Sequence, residues 1–147
     1  MHTVFADRLL NLADRRAEAI AERWCKSVKK NPRTPSYHSL PDDECLSQAV
    51  SCYKNLKQMY HSEKPYEEAS VYFTRYAEAR HAEGIPLHES IYALLMVRRH
   101  IWLFAEIEAL FVSAVDLHQA IECINRVVLL FDYAVYILAQ RYHEMGS

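Results

Sequence analysis

Tyr76-Ala-Glu78-Ala-Arg80-His81-Ala-Glu83-Gly84-Ile85-Pro86-Leu-His88-Glu89-Ser90-Ile91-Tyr92-Ala-Leu94-Leu-Met96-Val97-Arg98-Arg99-His100-Ile101-Trp102 decides the fold. It carries the end of one helix, a Gly-Ile-Pro break and the opening of the next. Gly84 supplies the conformation that commonly ends a helix, and Pro86 restarts the chain two residues later. The two helices must therefore meet in a tight corner or hairpin.

The same punctuation organises the whole chain. Its 147 residues hold two glycines and five prolines, where average usage would give about ten and about seven. All seven stand where a helix has to stop or start, so the chain is expected to be all-α. A single domain of this length buries about two thirds of its unfolded surface. The net charge of −2 offers no basic field for a nucleic acid backbone. The eight histidines add positive charge only below pH ~6.5. Cys25, Cys45, Cys52 and Cys123 include no CxxC pair and read as buried or half-buried thiols in a reducing compartment. The chain opens directly into an amphipathic helix with no apolar leader, and charges interrupt every long apolar run. A cytoplasmic protein without membrane or nucleic acid partners is the expectation.

Periodicity outlines five helices. The first spans about Val4 to Lys29, with Ala6, Leu9, Ala13, Ala17, Ile20, Trp24 and Val28 on one face. Asn31-Pro32-Arg33-Thr34-Pro35 ends it. Ser39-Leu40-Pro41-Asp42 opens the second, whose stripe is Leu46, Ala49, Tyr53, Leu56 and Tyr60. The third begins near Pro65 with Glu67 and Glu68 in its first turn, where the helix dipole favours carboxylates. The fourth follows Pro86 to about Phe111. The fifth is capped by Ser113 or Asp116 and continues to about Met145.

The fifth helix carries two adjacent apolar rows: Leu117, Ile121, Ile124, Val128, Phe131, Val135, Leu138 and Tyr142, and one residue back Ala120, Cys123, Val127, Leu130, Ala134 and Ile137. Either both rows enter one bundle core, or one row meets the same helix of a second subunit. Its length favours the homodimer: it is about 43 Å long, against about 38 Å for a compact sphere of this chain. The expected interface includes Ile121, Ile124, Val127, Val128, Phe131, Val135, Leu138 and Tyr142.

On the fourth helix Leu94, Val97, Ile101 and Phe104 form an apolar arc with Arg98 in its middle. A buried guanidinium needs a partner, and Glu78, Glu83 and Glu108 are the candidates. Arg98 then acts either as a structural ion pair or as a contact to an anion. A second expectation concerns the Gly84-Ile85-Pro86 corner, where helices do not pack flush. Tyr76, Arg80, Tyr92, Met96, Arg99 and His100 combine apolar bodies with polar tips there, suiting a small polar or anionic effector.

The Tyr76 to Trp102 block, and more loosely residues 5 to 142, resembles the N-terminal domain of RsbR-type regulators of bacterial stress signalling, the components of the stressosome. The resemblance implies a five-helix globin-like sensory domain, usually without haem, placed ahead of a STAS domain or a histidine kinase core. Residues 1–145 would form that domain. Because the sequence stops at Glu144-Met145-Gly146-Ser147, residues 146–147 read as a linker or tag remnant, or the output partner is a separate regulator. A purely structural dimerisation or interaction module that senses nothing is the alternative reading, and other chemistries find less in the residues. Glu78 and His81 supply only half of a di-iron site, and His118 with Glu122 supply only two ligands. His88-Glu89 is followed by Ser90-Ile91-Tyr92 where phospho-accepting histidine kinases carry Arg-Thr-Pro. His100 beside Val97, Phe104 and Ile107 keeps haem as an alternative. No catalytic residue set and no metal site is expected.

Overall fold

A computed structural model of the chain describes residues 4–107 and 114–146, and the side chains of residues 4–105 and 118–146. Among the described residues there are six α-helices and no strand: α1 (Val4–Arg15), α2 (Ala17–Val28), α3 (Asp42–His61), α4 (Pro65–Ala82), α5 (Leu87–Ile107) and α6 (Ala114–Glu144), with a 3₁₀ turn at Pro35–Tyr37. None of these helices is long and apolar enough to cross a membrane.

The expected first helix is two helices, which raises the count from five to six. Arg16 between them has φ −108° and ψ 22°. Backbone hydrogen bonds still run from Arg16 N to Leu12 O and from Ile20 N to Arg16 O, so the chain bends without losing its ladder. The cause is tertiary. α1 packs on α3 and α6, whereas α2 packs on α3 and α5. A single straight helix would not serve both. At the start of α1 the Phe5 N–H donates to the Gln119 side chain of α6 at 2.9 Å, and in α2 the Trp24 indole donates to the Ala93 carbonyl of α5 at 2.9 Å.

Helix boundaries elsewhere follow the local chemistry. Pro65 occupies the first turn of α4, with Glu67 and Glu68 beside it. At the other end Gly84 has φ 77°. The Ile85 N–H donates to the Arg80 carbonyl and the Gly84 N–H to that of His81, the paired bonds of a Schellman cap, and Ile85 is buried behind them. The end of α3 is capped from outside: the Arg126 guanidinium donates to the Tyr60 carbonyl at 2.8 Å and lies over the Tyr60 ring.

Helix α5 is tied to its neighbours through its own backbone. Besides Trp24, the Tyr53 hydroxyl of α3 donates to the Val97 carbonyl at 2.8 Å, one turn beyond Ala93. A helical carbonyl has a second lone pair after closing its own ladder, so both aromatic residues are satisfied inside the core. At the start of α5 the buried Glu89 accepts the Ser36 N–H at 2.7 Å and the Ser36 hydroxyl at 2.8 Å. The Glu of the His88-Glu89 pair thus anchors the 3₁₀ turn, and His88 is exposed.

Candidate functional site

Residues Ala69, Phe73, Tyr76, Ala77 and Arg80 form the buried face of α4, and α4 packs most extensively against α6. Phe73 meets Phe131, and Tyr66 meets Tyr133 with ring centroids 5.1 Å apart. Helix α3 is instead drawn to α1 and α2, and its contact with α4 is sparse. Two antiparallel neighbours held by different partners leave a gap. The result is a cleft of about 1130 Å³ between α3 and α4.

Its middle is lined by Val71 and Tyr72 of α4 and by Ser51 and Asn55 of α3, with Met59 toward the α3–α4 turn. At the end near the α3–α4 turn stand Glu63, Lys64, Glu67 and Glu68. At the opposite end lie Gln48, Tyr76 and Arg80. Arg80 is 6% exposed. Its guanidinium lies 4.7 Å from the Tyr76 ring centroid and grips the Glu83 carboxylate with Nε and Nη2 at 2.8 and 3.1 Å. Gln48 Nε2 adds a longer bond to the same carboxylate at 3.3 Å. Burial works against the Arg80 charge, but the Glu83 carboxylate, hydrogen-bonded to it, outweighs burial and keeps the guanidinium charged.

The floor of this end is incompletely satisfied. The Tyr76 and Tyr37 hydroxyls and Gln48 Oε1 are buried with no hydrogen-bond partner among the described residues. Burial is the main reason both phenols are pushed upward, and Arg80 pulls each the other way. Buried polar groups in folded proteins nearly always have partners, and these cluster beside the buried Arg80.

The six residues assigned to a pocket at the Gly84-Ile85-Pro86 corner separate. Tyr76 and Arg80 line the α3–α4 cleft. Tyr92 lies under the Arg33 guanidinium, Met96 Sδ accepts from Asn31 Nδ2 at 4.0 Å, Arg99 is exposed and His100 is half-buried. Gln48, Tyr37 and Glu83 complete the site. The first two carry no charge and come from segments remote in sequence, so no local pattern points to them.

The buried arginine is Arg80 where Arg98 was expected. Arg98 shares the half-buried rim of α5 with Ile91 and Trp102, because the inward face turns toward Glu89, Ser90 and Ala93, which are small or polar and carry no weight in an apolar pattern. Glu83 is taken by Arg80, and Glu78 by Arg141 at 2.7 Å. Glu108 lies outside the described residues. On α6 the row from Ala120 through Val127 to Ile137 is fully buried, as are Phe131, Leu138 and Tyr142, so Val127, Phe131, Leu138 and Tyr142 belong to the domain's own core. Of the other expected interface residues, Ile121 is 61% exposed, and Ile124, Val128 and Val135 are half-buried.

All four cysteines are buried, and burial pushes the Cys52 thiol up to about 12. His118 and Glu122 form an exposed pair at 3.8 Å, and His81 packs edge-on against Tyr142. His100 faces α2. Burial first, then Arg99 and Arg23, holds its imidazole below the usual histidine range. The unfolded chain therefore takes up the proton more readily. This contribution to stability is complete above pH ~6.5 and is lost as pH falls toward the folded value. Thermal melts across that window should show a shallower acid-side decline for His100→Asn, and an unchanged slope would exonerate His100.

The chain matches no protein-family model, no curated protein and no solved structure.

Proposed function

We propose that the chain is a non-catalytic signal-input domain that pairs with a second copy through the outer face of α6 and passes the state of its cleft to an output module. The observation that carries this reading is the double role of α4. One side of α4 walls the cleft, and it packs most extensively against α6. Occupancy that shifts α4 must be felt by α6, because close-packed helices move as units rather than deform. The outer face of α6 presents Ile121, Leu129 and Tyr136, 61%, 42% and 58% exposed, next to the half-buried Ile124, Val128 and Val135. The homodimer and a globin-like, RsbR-type arrangement ahead of a STAS or histidine kinase output, in the same chain or in a partner regulator, belong to the same proposal.

A wedge in the cleft tests the coupling. Ser51 lies on the α3 wall, and its hydroxyl is paired only with that of Tyr72 among the described residues. Ser51→Trp should fill the gap without touching α6 and change the dimer dissociation constant about five-fold or more, the lower end of typical allosteric coupling. Sedimentation reads the constant, and circular dichroism checks that helix content is kept. A constant equal to that of the parent protein would reduce the domain to a pairing module that senses nothing.

A further inference from the structure

We infer that the α3–α4 cleft binds a monocarboxylate with an apolar body, whose carboxylate replaces that of Glu83 on Arg80. The inference rests on reading the cleft as the input site and adds the class of ligand and the internal group it displaces.

Arg80 is the anchor. A guanidinium offers two parallel N–H donors in a plane, which match the two oxygens of a carboxylate better than a tetrahedral anion. That fork is occupied by the protein's own carboxylate. Glu83 is less buried than Arg80, its side chain 27% exposed against 8%, so it reaches the arginine from the solvent side and can swing back out. Arg80 has no such freedom and must keep an anion beside it, since a buried unpaired guanidinium is strongly destabilising. Exchange of one carboxylate for another preserves the pair throughout.

The surroundings favour the incoming group. The Tyr76 hydroxyl, buried beside Arg80, has no acceptor for its proton among the described residues, and the proton is free to donate to a ligand oxygen. Gln48 Nε2, which now reaches Glu83 over 3.3 Å, is released to do the same. A ligand carboxylate thus gains a hydroxyl donor that Glu83 lacks. Next to this polar end Tyr72 lines the wall, with Val71 beyond it on α4 and Met59 toward the α3–α4 turn, and these side chains cover a hydrocarbon or aromatic body. The far end carries Glu63, Glu67 and Glu68 with Lys64, and the exposed Arg75 lines the α4 wall between the two ends. Preference over a short dicarboxylate therefore rests on the apolar body, which succinate lacks.

Titration of the full chain with phenylacetate, succinate and inorganic phosphate, followed by amide and arginine Nε NMR signals, tests the assignment. Phenylacetate should move the Gln48 side-chain amide and the Arg80 Nε–H, with succinate and phosphate at least about ten-fold weaker, the value of one charge-assisted hydrogen bond. Glu83→Gln removes the internal competitor but leaves a neutral acceptor beside Arg80; with native helix content verified by circular dichroism and stability to heat read alongside, it should tighten phenylacetate about ten-fold and be stabilised by it more than the parent is. Arg80→Lys keeps the charge, loses the fork and should weaken it by a similar factor. If Arg80→Lys does not fold, Tyr76→Phe gives an independent reading, with weaker binding in a protein of native helix content. Succinate or phosphate binding as tightly as phenylacetate, Glu83→Gln binding no better than the parent, or signals moving away from Gln48 and Arg80 would each overturn the inference. Binding at these residues with no change in self-association would refute the input reading and leave the ligand class standing. Absence of phenylacetate binding refutes the ligand class whatever the association state.

Discussion

In the dimer proposed through the outer face of α6, Ile121→Glu combined with Tyr136→Glu should give monomers that remain folded. Both side chains are more than half exposed in the single chain, at 61% and 58%, so a glutamate at either position sits in water and costs the monomer little. Paired against a second α6, the same carboxylates would lose solvent without a partner, at several kcal/mol each. That is enough to abolish a modest interface. The interface is expected to be modest because Asn125 and Asp132, both exposed, interrupt the apolar row, as polar positions do where a helix pair needs a defined register. The contrasting change is Val127→Glu. Val127 is fully buried, so a charge there should unfold the domain outright. Sedimentation together with circular dichroism separates the two results. A double variant that still sediments as a dimer would remove α6 from the interface, and with it the route from cleft to output.

Trp24→Ala should be the most damaging truncation in the core, at about 4 to 5 kcal/mol, near the top of the range for aromatic-to-alanine changes. Trp24 is fully buried, meets the Tyr37 ring edge-on with centroids 6.0 Å apart and donates to the Ala93 carbonyl. It therefore joins α2, the 3₁₀ turn and α5 at one point. Loss on this scale is a large fraction of the 5 to 15 kcal/mol that holds a typical domain together, so the variant should be substantially less stable to urea and to heat. Trp24→Phe isolates the hydrogen bond, because Ala93 O still closes the ladder of α5. Its cost should be about 1 kcal/mol plus the smaller ring. Equal costs for the two variants would mean that the ring contributes little to joining these elements.

Legibility followed the range of the physics. The stops at Gly84 and the starts at Pro41 and Pro65 are local events of backbone sterics and unpaired N–H and C=O groups, and each appears where the residues place it. The break at Arg16 has no proline or glycine to announce it. It exists because α1 and α2 serve different partners, and a residue of ordinary propensity gives way to a demand that arises in the folded state. The rows on α6 were visible as rows, but a helical wheel ranks side chains only by type. Which row faces inward was settled by where α1, α4 and α5 lie.

The site shows the same division. Tyr76 and Arg80 stood out as polar-tipped side chains near a corner, and they do line the cleft. Their partners Gln48 and Tyr37 come from other elements and only the assembled bundle brings them near. Arg98 and Arg80 were both arginines on half-apolar helices, and nothing short of the packing distinguished them. By itself the sequence determined that the chain is helical, where most helices begin and end, and which faces are apolar, since backbone sterics and hydrophobic periodicity act over a few residues. Only the tertiary structure decided which arginine is buried and where the gap falls, because burial depends on which helix comes to lie alongside, and α4 settled on α6 while α3 was held by α1 and α2.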